Sequence, residues 1–523
     1  MRRILVFILF PLAISLAQTV KIPKEALVGY QSISATDLSA RLHFIASPEL
    51  EGREATFRGQ KIAARYIASV FQQLRLKPVG DNGTYFQQIK VEATRMSDQS
   101  SITIASKQSS QSFLIRKDFY ALSAPEASVT ASAVFIGYMD ATVDSTITKG
   151  KIVVALPGRK LDAKDTSLSP MRRLGFIRQF AGSVATFVVA DESGLLSMGG
   201  LSARFGTIIE RGTMQVLGAP GRGMRFGVGF PILVSPRLAA EIFKETGRSL
   251  SQLRKAAYED SVFVPIALNQ TSVALDISSI KEIKTTENVL GLLEGSDPKL
   301  KDELVTFTAH FDHVGIAGDG VVFPGADDDG SGTVTVLELA EAFTANAVKP
   351  KRSLLFMTVT GEEKGLWGSD WYVKHPVVPL EKTVANLNID MIGRLDTTYE
   401  KLNNPNYVYV IGSDKISTEL DSVLKVSNKQ SENLILDYKY NDDKDPERFY
   451  SRSDHYNFAR NGVPIVFFFT GVHADYHRPT DTVDKIHFPR MEKIVRLIYW
   501  TGWQVANAKK GLARNVGSSM YTR

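Results

Sequence analysis

After residue 285 the chain is punctuated by near-continuous apolar runs, and these limit its folding more than any other feature. Leu304–Thr308, Ser353–Val359, Val384–Ile389, Tyr407–Ile411 and Pro464–Phe469 are each five to seven residues long. Such runs do not alternate between a wet and a dry face, so they must be covered on both sides, as strands of an α/β sheet are. Stretches of helical periodicity at Val334–Ala345, Ser417–Ser427 and Arg490–Lys509 separate several of them. The expectation is an α/β fold with a mostly parallel mixed sheet flanked by helices.

The rest of the chain divides by pattern. Asp37–Ala46 and Lys61–Leu76 carry apolar residues at i, i+3 and i+4, predicting two amphipathic helices. Between 125 and 272 the pattern changes to short β-branched runs, Ala133–Ile136, Lys151–Ala155, Ala185–Ala190 and Pro231–Val234, which predict an inserted β-rich module. A chain of 523 residues needs more than one core. At the start, Arg2 and Arg3 precede the apolar Ile4–Phe10, with Ser15 and Ala17 at small-residue positions, the pattern of a signal peptide cut after Ala17. The expected division is therefore 1–17 signal peptide, 18–124 first part of the main domain, 125–272 insertion and 273–515 main domain. Export to periplasm or medium follows, with no stable membrane span, since the apolar run falls short of the ~20 residues that cross a bilayer. A formal charge of +6 is too weak to argue for nucleic acid.

In open α/β sheets ligands collect at the carboxyl ends of strands, so the polar residues that follow the apolar runs are the candidates for chemistry. The first run leads into His310, Asp312 and His313. Asp312 is spaced to accept the second ring N–H of His310, and His313 is a further possible ligand that a local pair does not assign. Asp327, Asp328 and Asp329 then stand together ahead of a helix, where capping would use only one carboxylate and a cation would relieve the repulsion among three. Glu362 and Glu363 follow the next run and suit a division into one ligand and one proton shuttle. Asp390 is a lone acid in an apolar stretch, costly unless paired or metal-bound. The last run reaches Tyr476 and His477. Two histidines and three carboxylates form an oxygen- and nitrogen-rich double site that suits two Zn²⁺.

These segments, in this order, resemble the co-catalytic di-zinc aminopeptidase family, relatives of glutamate carboxypeptidase and the transferrin receptor. Ser47–Arg53, Lys77–Tyr85, Asn288–Asp297 and Ser453–His455 add to the likeness, and the insertion is similar to a protease-associated domain, most recognisably at Lys149–Val154. The resemblance implies that His310 and Asp390 hold one zinc, Glu363 and His477 the other, and that Asp328 bridges them. It further implies Glu362 as general base and acid, Tyr476 as oxyanion donor, Arg452 as a polarising cation and Asp312 as the residue that orients His310. The implied substrate is a peptide with a free N-terminus, releasing its first residue. A carboxypeptidase or dipeptidase on the same scaffold, or a silent binding relative, are the alternatives.

Overall fold

The computed structural model describes residues 22–516, except 108, 122–125, 141, 158–179, 181, 193–196, 201–210, 220–230, 261–262 and 319. The expected signal segment 1–17 lies outside the described residues. No helix among them is long and apolar enough to cross a membrane.

All five apolar runs are strands of one ten-stranded sheet. Its centre is parallel: Leu304–His310 lies between Ser353–Val359 and Thr383–Ile389, and Ile465–Phe469 follows on the far side of the latter. Pairing turns antiparallel on either side of this centre, with Tyr407–Ile411 beside Ile465–Phe469, and Ser279–Leu293 between Ser353–Val359 and Phe86–Met96, while the edge strand Ile435–Asp437 is parallel to Tyr407–Ile411. The sheet is thus mixed, and the parallel strands at its centre are the ones that carry the candidate residues. Every residue of Leu304–His310 and Ser353–Val359 is buried. One face is covered by Ala35–Ile45, Gly332–Ala345 and Phe488–Asn507, whose aromatics Phe343, Tyr499 and Trp503 pack together over Phe307 and Phe356.

The second module is built differently from the expected boundary of 125. Its eight-stranded sheet begins at Ser101, because the hairpin Ser101–Ala105 and Ser110–Leu114 pairs with Ile266–Ile277. The alternation of Ile102, Ile104 and Phe113 into that module's core explains the assignment, and an apolar-run criterion misses strands this polar. Nor is the insertion self-contained. Thr213–Val216, from its middle, adds to the edge of the large sheet beside Phe86–Met96.

His455, on the short helix His455–Ala459, is fully buried and stacks on Phe467 at 4.5 Å. Its Nε2 donates to the Tyr450 carbonyl at 2.9 Å. Burial pushes this imidazole down to about 3. The unfolded chain takes up that proton near 6.5, so stability should be whole above that pH and fall by up to about 1.4 kcal/mol per unit as pH drops from there towards 3. Denaturant midpoints at pH 7 and 5 should differ less in His455→Gln than in the parent.

Candidate metal centre

His310 is the last residue of its strand, and Glu362, Glu363 and Asp390 lie just past the ends of the two flanking strands. Parallel pairing sets these ends side by side, so residues 50 to 80 positions apart converge on one chamber. Asp328 enters from the loop ahead of the helix Gly332–Ala345, and His477 from the loop after Ile465–Phe469.

The three adjacent aspartates take three directions. Asp329 turns inward, where its carboxylate accepts the N–H groups of Gly332 (2.8 Å), Met391 (3.1 Å) and His310 (3.2 Å), capping the helix and bracing two strand ends. Asp327 accepts from Gly393 N–H at 2.6 Å and approaches His473 Nε2 at 3.2 Å. Only Asp328 faces the histidines of the chamber. Its Oδ1 is 3.3 Å from His310 Nε2, and its Oδ2 is 3.0 Å from His477 Nε2. Asp390 Oδ1 completes the first group at 3.6 Å from His310 Nε2, and Glu363 Oε2 the second at 3.2 Å from His477 Nε2.

These separations bear on whether a metal fits. Bonds of roughly 2.0–2.1 Å at tetrahedral angles place neighbouring donors about 3.3 Å apart. Asp328 Oδ2, Glu363 Oε1 and His477 Nε2 make no aligned hydrogen bond although they are buried, and buried polar atoms rarely go unsatisfied. Two groups of side chains, each able to hold an ion, share Asp328: it stands with His310 and Asp390 in one, and with His313 and Glu363 in the other. The donor set therefore fits divalent metal at two adjoining positions.

The surroundings orient these donors. His310 Nδ1 donates to the backbone carbonyl of Asp312 at 3.1 Å, which leaves Nε2 as the free lone pair. The expected partner, the Asp312 carboxylate, is 4.0 Å away and instead accepts Glu362 N–H at 3.2 Å, so it positions the glutamate loop. Ser453 donates to Asp390 Oδ2 at 2.7 Å and accepts from Asn388 at 3.0 Å, turning the other oxygen of Asp390 to the chamber. Asp481 accepts the N–H groups of Asp327 and Asp328, tying the His477 loop to the Asp328 loop.

Electrostatics separate the two glutamates. Burial pushes Glu362 well above the usual carboxylate range, with Glu363 and Asp390 adding to it and His310 opposing. Glu363, equally desolvated, is drawn down to about 2 by His313 and His477. Glu362 Oε2 stays 4.0 Å from His310 Nε2, outside the ligand groups. Tyr476 stacks on the His477 ring at 3.9 Å, and its burial, with Asp328 and Glu363 nearby, keeps the hydroxyl protonated. Arg452 lies over the Phe449 ring at 4.6 Å, close enough for its charge to act on Tyr476.

Sequence reasoning passed over Arg53. This fully buried guanidinium donates to four carbonyls, Phe311, Ile45, Pro324 and Gly325, joining the His310 strand end to the Asp328 loop. Burial lowers it only to about 10, since Asp328 and Asp312 oppose, so it remains a cation among acids. Gly52 before it has φ +63°, and a Cβ there would meet the Gly315 and Phe323 carbonyls at 2.4 and 2.5 Å, which is why the turn is glycine. The motif Glu51-Gly52-Arg53 was its only trace in the sequence. Arg53→Met strands four carbonyls and should cost about 3 kcal/mol or more, read from urea midpoints.

Comparison with known proteins matches the part of the chain that carries the candidate site. Residues 288–501 match peptidase family M28, a span that includes all five candidate ligands. Probable leucine aminopeptidase 2 of Aspergillus oryzae is 36% identical over 203 residues, covering 38% of this chain and 36% of that protein. Aminopeptidase YwaD of Bacillus subtilis is 27% identical over 290 residues, 54% of this chain and 53% of that protein. The match thus spans between about a third and a half of these relatives' length. Among solved structures, a zinc aminopeptidase from Bacillus subtilis superposes with a TM-score of 0.53 at 20% identity, covering 93% of this chain and 99% of that one. The aminopeptidase from Aneurinibacillus sp. strain AM-1 gives 0.51 at 17%, covering 94% and 98%. At these identities the likeness is one of fold. Fold, strand-end chemistry and matched span agree, and what the comparison gives is a match of residues 288–501 to peptidase family M28.

Proposed function

We propose that the chain is a zinc aminopeptidase that binds two zinc ions and removes the first residue of peptides. The observation that carries the reading is the division of Asp328, one oxygen towards His310 and Asp390, the other towards His477 and Glu363. His310 and Asp390 would hold one zinc, Glu363 and His477 the other, with Asp328 shared. Bound zinc at such a pair supplies Lewis acidity and lowers the pKa of a water towards ~7.

The chain's own groups supply the remaining work. Glu362, desolvated and held by its N–H on Asp312, takes the proton of the attacking water and returns it to the departing amine. The Tyr476 hydroxyl donates to the oxygen that gains charge as the carbonyl becomes tetrahedral, and Arg452 adds positive field there. A free substrate amine docks beside Glu362 and Asp390. The names of the relatives, leucine aminopeptidase and aminopeptidase, support this choice of substrate end.

Amino-acid p-nitroanilides set against the same substrates with an acylated amine test the reading. Hydrolysis of the free-amine set alone, lost on chelation, is expected. Preference for blocked peptides with a free carboxyl end would replace it with a carboxypeptidase.

A further inference from the structure

The two-zinc reading uses five donors and leaves one buried histidine of the same chamber without a task. His313 is 0% exposed, and neither ring nitrogen makes an aligned hydrogen bond. Its Nδ1 nevertheless stands 3.0 Å from Glu363 Oε1 and 3.7 Å from Asp328 Oδ2. His477 meets the same two carboxylates, and its Nε2 is likewise unaligned with either. The two rings are 5.7 Å apart and steeply inclined at 74°. Close nitrogen–oxygen approaches without donor alignment are expected of atoms that neighbour one another around a common cation, at about 3.3 Å for tetrahedral zinc.

The backbone holds His313 in this place. Its N–H donates to the Arg53 carbonyl at 3.2 Å. On its other side Gly325, at φ +58°, lets the loop to Asp328 run so close that a Cβ would lie 2.5 Å from the imidazole. The ring is therefore packed between the Arg53 segment and the Asp328 loop.

We propose, resting on the two-zinc reading, that His313 is a further protein donor to the metal position of Glu363 and His477, through Nδ1. That position then has four protein donors, Asp328, Glu363, His477 and His313, whereas the other has three, His310, Asp328 and Asp390. A site closed by protein groups holds its ion tightly, and a site with an open place serves substrate or water. The consequence is a division of labour: the Glu363 position fills first and empties last, and the His310 position is the exchangeable one.

Zinc titration of the metal-free full chain against a chromophoric chelator tests this, together with the visible spectrum of the cobalt-loaded protein. The parent should bind two zinc ions of unequal affinity. His313→Gln should weaken the tighter one at least tenfold, leave the other within twofold, and change the cobalt absorption. His313→Asn keeps an N–H near the place of Nδ1 but is a poor ligand, so it should behave like the Gln variant. Parent-like zinc affinity and cobalt spectrum in either soluble variant would overturn the proposal, and for Asn would assign His313 to a hydrogen bond on Glu363. A parent that takes up fewer than two zinc ions would instead overturn the two-zinc reading beneath it.

Discussion

Glu362→Gln should lower kcat by about 10²–10⁴-fold while zinc content and melting temperature stay at the parental values. Gln keeps the size and the backbone N–H contact to Asp312 but cannot take a proton. The glutamate lies outside both ligand groups, 4.0 Å from His310 Nε2, so its neutral isostere leaves the donors in place. Because the lost step lies in the transition state, KM should change much less than kcat. Metal analysis beside steady-state kinetics reads both quantities. Turnover within tenfold of the parent would remove Glu362 from the proton transfer, and loss of zinc with activity would make it a ligand.

Metal removal should abolish hydrolysis and lower the melting temperature by several degrees, with both restored by zinc. Asp328, Glu363 and Asp390 crowd one chamber with Glu362, while Asp312, Asp329 and Asp454 are buried close by. Arg53 is one fully buried cation against these acids, and without added positive charge the carboxylates repel or must take up protons. A ligand at about a thousand times its Kd stabilises the folded state by about 4 kcal/mol, so bound zinc should contribute a substantial part of the stability of the main domain. Thermal scans with excess chelator, then with zinc added back, measure the effect. Unchanged melting and activity in chelator would leave the chamber a charged cleft without metal.

How much of the fold and site is legible in the sequence depends on the range of the interaction. The five central strands were legible because full burial on both faces demands uninterrupted apolar residues, and the structure places each within a few residues of the expected bounds. The start of the second module was not legible. Neither Ser101–Ala105 nor Ser110–Leu114 is buried on both faces, and the hairpin joins the module because Ser101–Ala105 pairs with a strand about 170 residues later. Asp312 shows the same limit at the site. Its spacing from His310 suggested a carboxylate–imidazole contact, but the Glu362 N–H, 50 residues away, competes for the carboxylate and the backbone carbonyl takes the imidazole.

What the sequence by itself determined is which carboxylates and imidazoles follow the apolar strands, and in what order, because such a group at the end of a fully apolar strand has few places to go other than the chamber at the sheet's carboxyl edge. What only the tertiary structure decided is the direction of each group within that chamber. Asp327, Asp328 and Asp329 are chemically identical and adjacent, and they part company because Gly393, Met391 and Asp481 take up specific backbone and side-chain positions around them. The same holds for His313 and Arg53, whose neighbours at the site come from distant stretches of chain. Side-chain direction after a strand end is set by contacts of long sequence separation, and these exist only in the folded molecule.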